Sequence, residues 1–195
     1  MLNALLLIVG AGLCFSEWPS YLGNEAFISE GHLWSHPVTF ASLFVGYLQW
    51  DLCWCLWHIH LTRDYAALIH HALFIAITHY VLWGWYFKKP FAWLSFTELS
   101  TPFLNLRWFY AVRGNKGPAY FRASVAFALT FIATRLVGYS LGLIDLWRNA
   151  ALWRPAKWGL YAVIGGVHAG YALNLFWSKT VISSLVRAAR GGGAR

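Results

Sequence analysis

Six apolar stretches, over residues 2–15, 38–57, 65–87, 90–112, 119–144 and 157–186, follow one another along this chain. A helix that crosses a bilayer needs roughly 20 mainly apolar residues, because the hydrocarbon core is about 30 Å thick. The pattern predicts an all-α fold, a polytopic membrane bundle of about six transmembrane helices. The loops between the later spans are short, which makes successive helices antiparallel neighbours. The first stretch, 2–15, falls short of a full span, and a secretory signal is its competing reading. It lacks a basic leading segment and a small-x-small cleavage site, so it reads as a retained first helix.

Composition points the same way. Apolar residues make up 59% of the chain and charged residues 11%, where soluble domains carry roughly 45–50% and 25%. Mean hydropathy is +0.50. Thirteen Trp residues suit a protein with many membrane–water boundaries to anchor. The length allows one compact domain without a soluble module beside it. A division follows: 1–37 as a first helix and loop, 38–186 as the main membrane domain, and 187–195 as a basic tail. The Ala/Arg/Gly composition of that tail suits disorder.

The net charge of +8 does not indicate nucleic acid, because of where the charges lie. Arg63, Lys88, Lys89, Arg113, Lys116, Arg122, Arg148, Arg154 and Lys157 fall in or beside short loops, and Arg187, Arg190 and Arg195 in the tail. There they meet lipid phosphates and help set topology. The loop 17–36 holds Glu17, Glu25 and Glu30 with no Lys or Arg, which assigns it to the lumen. Both termini are then cytosolic, although the later lumenal loops also carry basic residues. Cys14, Cys53 and Cys55 are too few and too scattered for a disulfide framework. Cys53-Trp54-Cys55 has the look of half a metal clip, yet no second pair answers it, and no metal or cofactor is expected. Gly138-x-x-x-Gly142 and Gly166-x-x-x-Gly170 fit close helix–helix packing rather than a site.

Ionisable groups inside spans are costly and are functional candidates by default. His70 and His71 are adjacent in the third span and project about 100° apart, so both can face one interior cavity. An imidazole there can act as base, acid or nucleophile, or can simply bond to neighbouring carbonyls. Asp51 lies mid-span and needs a partner; His58, seven residues on, shares nearly the same face, and an Arg is the other option. In the fourth span, Glu98, Thr101, Pro102 and Asn105 share one face by helical spacing, and Pro102 should kink the helix. Arg107 points elsewhere. Arg135 is embedded in the fifth span with Glu98 or Asp51 as natural partners. The sixth span supplies His168, Tyr171, Asn174, Ser178 and Lys179. Each of these can be helix–helix glue; together they suggest a polar chamber inside the bundle.

Gly46-Tyr47…Asp51, His70-His71, Glu98-Leu99-Ser100-Thr101-Pro102-Phe103-Leu104-Asn105, Arg135 and Asn174…Trp177…Lys179 resemble the TLC domain (TRAM–LAG1–CLN8) family over about 38–186. The Glu98–Phe103 segment is most similar to a TLCD-like subgroup, distantly related to the ceramide synthases. The resemblance implies a multi-pass protein of the endomembrane system, most often the endoplasmic reticulum, that works in lipid metabolism. In the ceramide synthase branch a double histidine is needed for acyl transfer from acyl-CoA. Carried over by position, His70 and His71 are the catalytic candidates and Asp51 the companion acid. Glu98, Thr101, Asn105, Arg135 and Asn174 are the lipid-binding candidates. Here the signature that ends in His-Asp in ceramide synthases reads Glu98-Leu99-Ser100, so the resemblance implies the chamber rather than ceramide synthesis.

Two functions compete for that chamber. The leading one is binding, sensing or trafficking of membrane lipids. The alternative is a lipid acyltransferase with acyl-CoA as substrate, for which Arg113, Lys116 and Arg122 would form a basic mouth. A channel or transporter path is a third. Di-iron desaturases need His clusters that His58, His60 and His79 do not supply, and an elongase motif would need His where Ala67 stands. Membrane lipids and acyl-CoA are the expected partners, and nucleic acid is not.

Overall fold

A computed structural model describes residues 2–17, 36–63, 65–84, 88–154 and 158–191 of the chain. Glu25, Glu30, Lys157, Arg195 and the side chains of Glu17, Arg187 and Arg190 lie outside what it describes, whereas the backbone of Glu17 ends the first helix. Helix α1 spans Leu2–Glu17, α2 His36–Thr62 and α3 Tyr65–Gly84. The fourth expected span is a composite. Helix α4 (Lys88–Phe96) leads into a 3₁₀ turn, Thr97–Ser100, and α5 continues from Thr101 to Val112. The fifth is also composite: α6 (Pro118–Phe131), a π segment (Ile132–Gly138) and α7 (Tyr139–Arg148). A short α8, Ala150–Trp153, precedes α9, Trp158–Gly191. Helix α9 thus continues past residue 186 into the tail whose composition suits disorder.

Pro102 explains the first interruption. It has no N–H to donate to the carbonyl of Glu98, four residues back, and its ring crowds that carbonyl. The Glu98 carbonyl instead accepts the N–H of Thr101, which is a 3₁₀ bond. The chain stays right-handed helical through Ser100 and Thr101, so the expected kink takes the form of a tightened turn just ahead of the proline.

Helix α2 packs on α3 and on α1, and α1 packs on α4 and on the 3₁₀ turn. Helix α5 packs on α6, and α9 on both α6 and the π segment. The 3₁₀ turn and the π segment face one another. Glycines permit these approaches. A Cβ on Gly142 would meet Trp93 at 3.0 Å, and one on Gly166 would meet Ile77 at 2.9 Å. One on Gly170 would meet the Tyr139 hydroxyl at 3.0 Å. The small-residue spacings therefore do mark tight contacts.

Buried side chains include Ser100, Thr134, Asn174, Ser178 and Asp145 as well as an aliphatic cluster of Leu146, Leu160, Val163 and Ile164 around Trp153. The outer surface carries Trp158 at 84% exposure, Trp57 at 79%, Ile69 at 69% and Phe176 at 66%. Two stretches, Pro118–Arg148 (31 residues) and Trp158–Val186 (29 residues), are long and apolar enough to cross a membrane.

Candidate functional site

Two polar clusters form in the bundle. The first joins the two irregular segments. Arg135, on the π segment, places Nη2 3.5 Å from Glu98 Oε1, and its Nε donates to Ser100 Oγ at 3.0 Å. Its Nη1 donates to Asn174 Oδ1 on α9 at 3.5 Å. Thr101 donates its hydroxyl to the other carboxylate oxygen of Glu98, Oε2, at 2.8 Å. Asn174 is itself held by donating Nδ2–H to the Gly170 carbonyl at 3.0 Å. Three elements thus converge on one guanidinium. Partial shielding makes such a group strongly interacting, because a charged partner in a low dielectric is worth more than in water.

Local structure puts these groups in place. The hydroxyls of Thr97 and Ser100 donate back to the carbonyls of Leu94 and Thr97, at 2.6 and 3.1 Å. That leaves the Ser100 oxygen free to accept from Arg135. The π segment widens the helix around Arg135; single π turns of this kind recur at functional sites. Thr134, 1% exposed, donates to the Thr130 carbonyl at 2.8 Å and takes no part in the cluster.

The second cluster lies between α2 and α3. His71 Nε2 stands 3.3 Å from Asp51 Oδ2. One turn along α2, Cys55 joins them: one candidate donor atom from each of Asp51, Cys55 and His71 lies within 4.8 Å of the other two. The edge-on pair Phe44–Phe74 (centroids 6.5 Å apart) seals the same helix–helix seam further along. His70 turns outward from this contact. Its ring lies 5.5 Å from that of His71 and 4.5 Å from that of Phe74, and the residue is exposed. Tyr47 stands within electrostatic range of both Asp51 and Glu98, and His70 within range of Arg135, so the two clusters are electrostatic neighbours.

Of the residues singled out in the sequence, Asp51, His71, Glu98, Thr101, Arg135 and Asn174 enter the two clusters, with different pairings in places. Arg135 takes Glu98 rather than Asp51. Asp51 takes His71, whereas His58 stacks on Trp54 (centroids 4.1 Å) and bonds to its carbonyl. Asn105 is half-buried and makes no hydrogen bond among the described residues. Arg107 sits over the Tyr120 ring at 5.6 Å. His168 is structural, accepting from Trp147 Nε1 at 3.0 Å with its Nδ1 at the Ile164 carbonyl. Tyr171 bonds to Ser140 at 2.6 Å, and Ser178 donates to the Leu175 carbonyl of its own helix. Lys179 is exposed. Arg113, Lys116 and Arg122, the proposed basic mouth, are all exposed around the α5–α6 turn.

Ser100 and Cys55 are members that the sequence reading misses. Neither is ionised in an ordinary setting, so neither stands out among intramembrane residues. An apolar cleft lined by Trp93, Tyr139, Gly142, Ile164 and Val167 opens between α4, α7 and α9. Tyr139, which lines this cleft, donates its hydroxyl to the Val167 carbonyl at 2.7 Å.

Two comparisons with known proteins give matches. The family model for the TLC domain matches residues 2–183, a range that includes α1. An uncharacterised TLC domain-containing protein of Schizosaccharomyces pombe is 32% identical over 160 residues, covering 77% of this chain and 52% of that protein. The chain therefore spans about half the length of this relative. No solved structure matches it.

Proposed function

Because the chain belongs to the TLC domain family, whose members are generally membrane proteins of lipid metabolism, we propose that it binds membrane lipids at the Arg135 cluster. The observation that carries this reading is the convergence of Glu98, Ser100 and Asn174 on one intramembrane guanidinium beside an apolar cleft. A guanidinium has five donors, and a phosphate or carboxylate headgroup can share them with Glu98. Thr101 and Asn105 flank the group on the next turns of α5. The acyl chains would lie against the apolar outer surfaces of the helices. In this reading the chain forms six transmembrane helices around a lipid-accessible polar cavity. It resides in an endomembrane, the endoplasmic reticulum first, with both termini in the cytosol. The exposed side chains of Trp57, Ile69, Trp158 and Phe176 support a lipid-facing exterior.

Photo-crosslinking tests the lipid assignment. A phospholipid with a diazirine near its headgroup should label residues on the 3₁₀ turn and on α9 near Asn174, and Arg135→Gln should lose that labelling. Labelling confined to exposed outer residues in both proteins would count against it.

One contact favours a second reading. The 3.3 Å approach of Asp51 to His71 has the form of a histidine oriented by a carboxylate. Asp51 would fix the tautomer of His71, and His70 or His71 would take the proton of an acceptor amine or hydroxyl as it attacks the thioester carbonyl of acyl-CoA, then return that proton to the CoA thiolate that leaves as the C–S bond breaks. Incubation with acyl-CoA and an acceptor panel tests it: an acylated product that disappears in His70→Ala/His71→Ala, with thermal stability matched, is the expected result.

A further inference from the structure

We propose that Asp51, Cys55 and His71 form a zinc site at the α2–α3 seam. The proposal does not rest on lipid binding at Arg135, and it competes with acyl transfer for Asp51 and His71. The donor set is the first reason. One carboxylate oxygen, one thiol sulfur and one imidazole nitrogen lie within 4.8 Å of one another. Zinc binds all three types, at about 2.0–2.2 Å for oxygen, 2.0–2.1 Å for nitrogen and 2.3 Å for sulfur. Donor atoms on a tetrahedral zinc therefore stand roughly 3.2–3.8 Å apart. The triad is pre-assembled to within small side-chain rotations of that geometry.

The backbone arrangement is the second reason. Asp51 and Cys55 are one turn apart on α2, so both point to the same side of that helix. His71 approaches from α3, and the seam holds the two helices in contact. Two donors at i and i+4 on one helix, with a third from its neighbour, define a metal position without a loop. The Cys53-x-Cys55 spacing looks unanswered in sequence because its answer comes from Asp51 and His71. Cys53 is exposed and stands on the other side of α2.

Charge and hydrogen bonding supply the third reason. A carboxylate inside a bundle is costly unless neutralised. When a divalent cation enters, Cys55 gives its proton to solvent and binds as thiolate. Asp51 and the thiolate then carry two negative charges against the ion's two positive ones, and His71 ligates as neutral imidazole. Three protein ligands leave a fourth position open, the pattern of zinc sites that hold water or substrate. Nitrogen, oxygen and sulfur together disfavour magnesium and calcium, which take oxygen.

The test uses the full-length protein purified in detergent without chelator. Elemental analysis should find about one zinc per chain, and cobalt(II) exchanged into the site should give a thiolate-to-cobalt charge-transfer band. Cys55→Ser should lose that band and weaken metal binding by more than about tenfold, the loss produced by disturbing only a ligand's supporting hydrogen bond. Cys53→Ser should keep both. No band in the wild type, or a band that survives Cys55→Ser, overturns the proposal. Should Cys55→Ser fail to fold, alkylation of the wild type decides. Zinc should shield Cys55 from a maleimide and leave Cys53 unaffected, and labelling of Cys55 that is the same with and without zinc overturns it.

Discussion

Arg135 Nη2 lies 3.5 Å from Glu98 Oε1, so a salt bridge joins a π segment on one composite helix to a 3₁₀ turn on another. The two side chains are 19% and 25% exposed, shielded enough that neither charge is satisfied by solvent alone. Removing one partner leaves the other charge poorly compensated. We expect Glu98→Gln and Arg135→Gln each to destabilise the fold by about 1–3 kcal/mol. The double variant should cost less than their sum, because the stranded charge is then gone. Thermal unfolding of the four proteins in one detergent checks this, and strict additivity would mean that the pair is not coupled.

Ser100 is 1% exposed and accepts from Arg135 Nε at 3.0 Å. Replacing it with Ala removes the acceptor without adding bulk. The unsatisfied N–H should cost about 1–3 kcal/mol, whereas Ser140→Ala, which loses a bond to Tyr171, should cost about 1 kcal/mol. The same unfolding measurement ranks the two.

The adjacent histidines should behave differently. His71 is held against Asp51, while His70 is exposed beside Phe74. His71→Ala should lower stability by about 1–3 kcal/mol, and His70→Ala by no more than about 0.5 kcal/mol. Equal losses in the two variants would contradict the placement of His71.

Glycines give a test of the helix contacts. Gly142 has Trp93 where a Cβ would stand, and Gly166 has Ile77. Gly142→Ala and Gly166→Ala should each cost about 1–3 kcal/mol through overpacking. Gly46 has nothing within 4 Å of the same position, so Gly46→Ala in mid-α2 should stabilise by about 0.5–1 kcal/mol.

The sequence makes the membership of both clusters largely legible, and their pairings less so. Charges in apolar spans need partners, which singles out Asp51, Glu98 and Arg135 without any structure. Choosing His71 over His58 for Asp51 depends on how α2 meets α3, and helical spacing within α2 cannot report it. Pro102 announces an irregular fourth span. Its effect on Asn105 is harder to read, because a 3₁₀ turn has about 3.0 residues per turn and shifts the phase of the residues beyond it. Asn105 accordingly stands outside the hydrogen bonds that Glu98 and Thr101 make. The π segment leaves no trace in Ile132-Ala133-Thr134-Arg135-Leu136-Val137-Gly138, since every residue but Arg135 suits an ordinary apolar helix. Cys55 is legible only as half of an unanswered Cys53-x-Cys55 clip, because a thiol in a span reads as packing until a carboxylate and an imidazole are found beside it.

Native mass spectrometry of the purified protein tests lipid binding at Arg135 most directly. Wild type and Asp51→Asn should each carry a co-purified lipid of defined mass, and Arg135→Gln, compared below its unfolding temperature, should lose it. An Arg135→Gln protein that stays folded and retains the same lipid at the same occupancy would contradict the account.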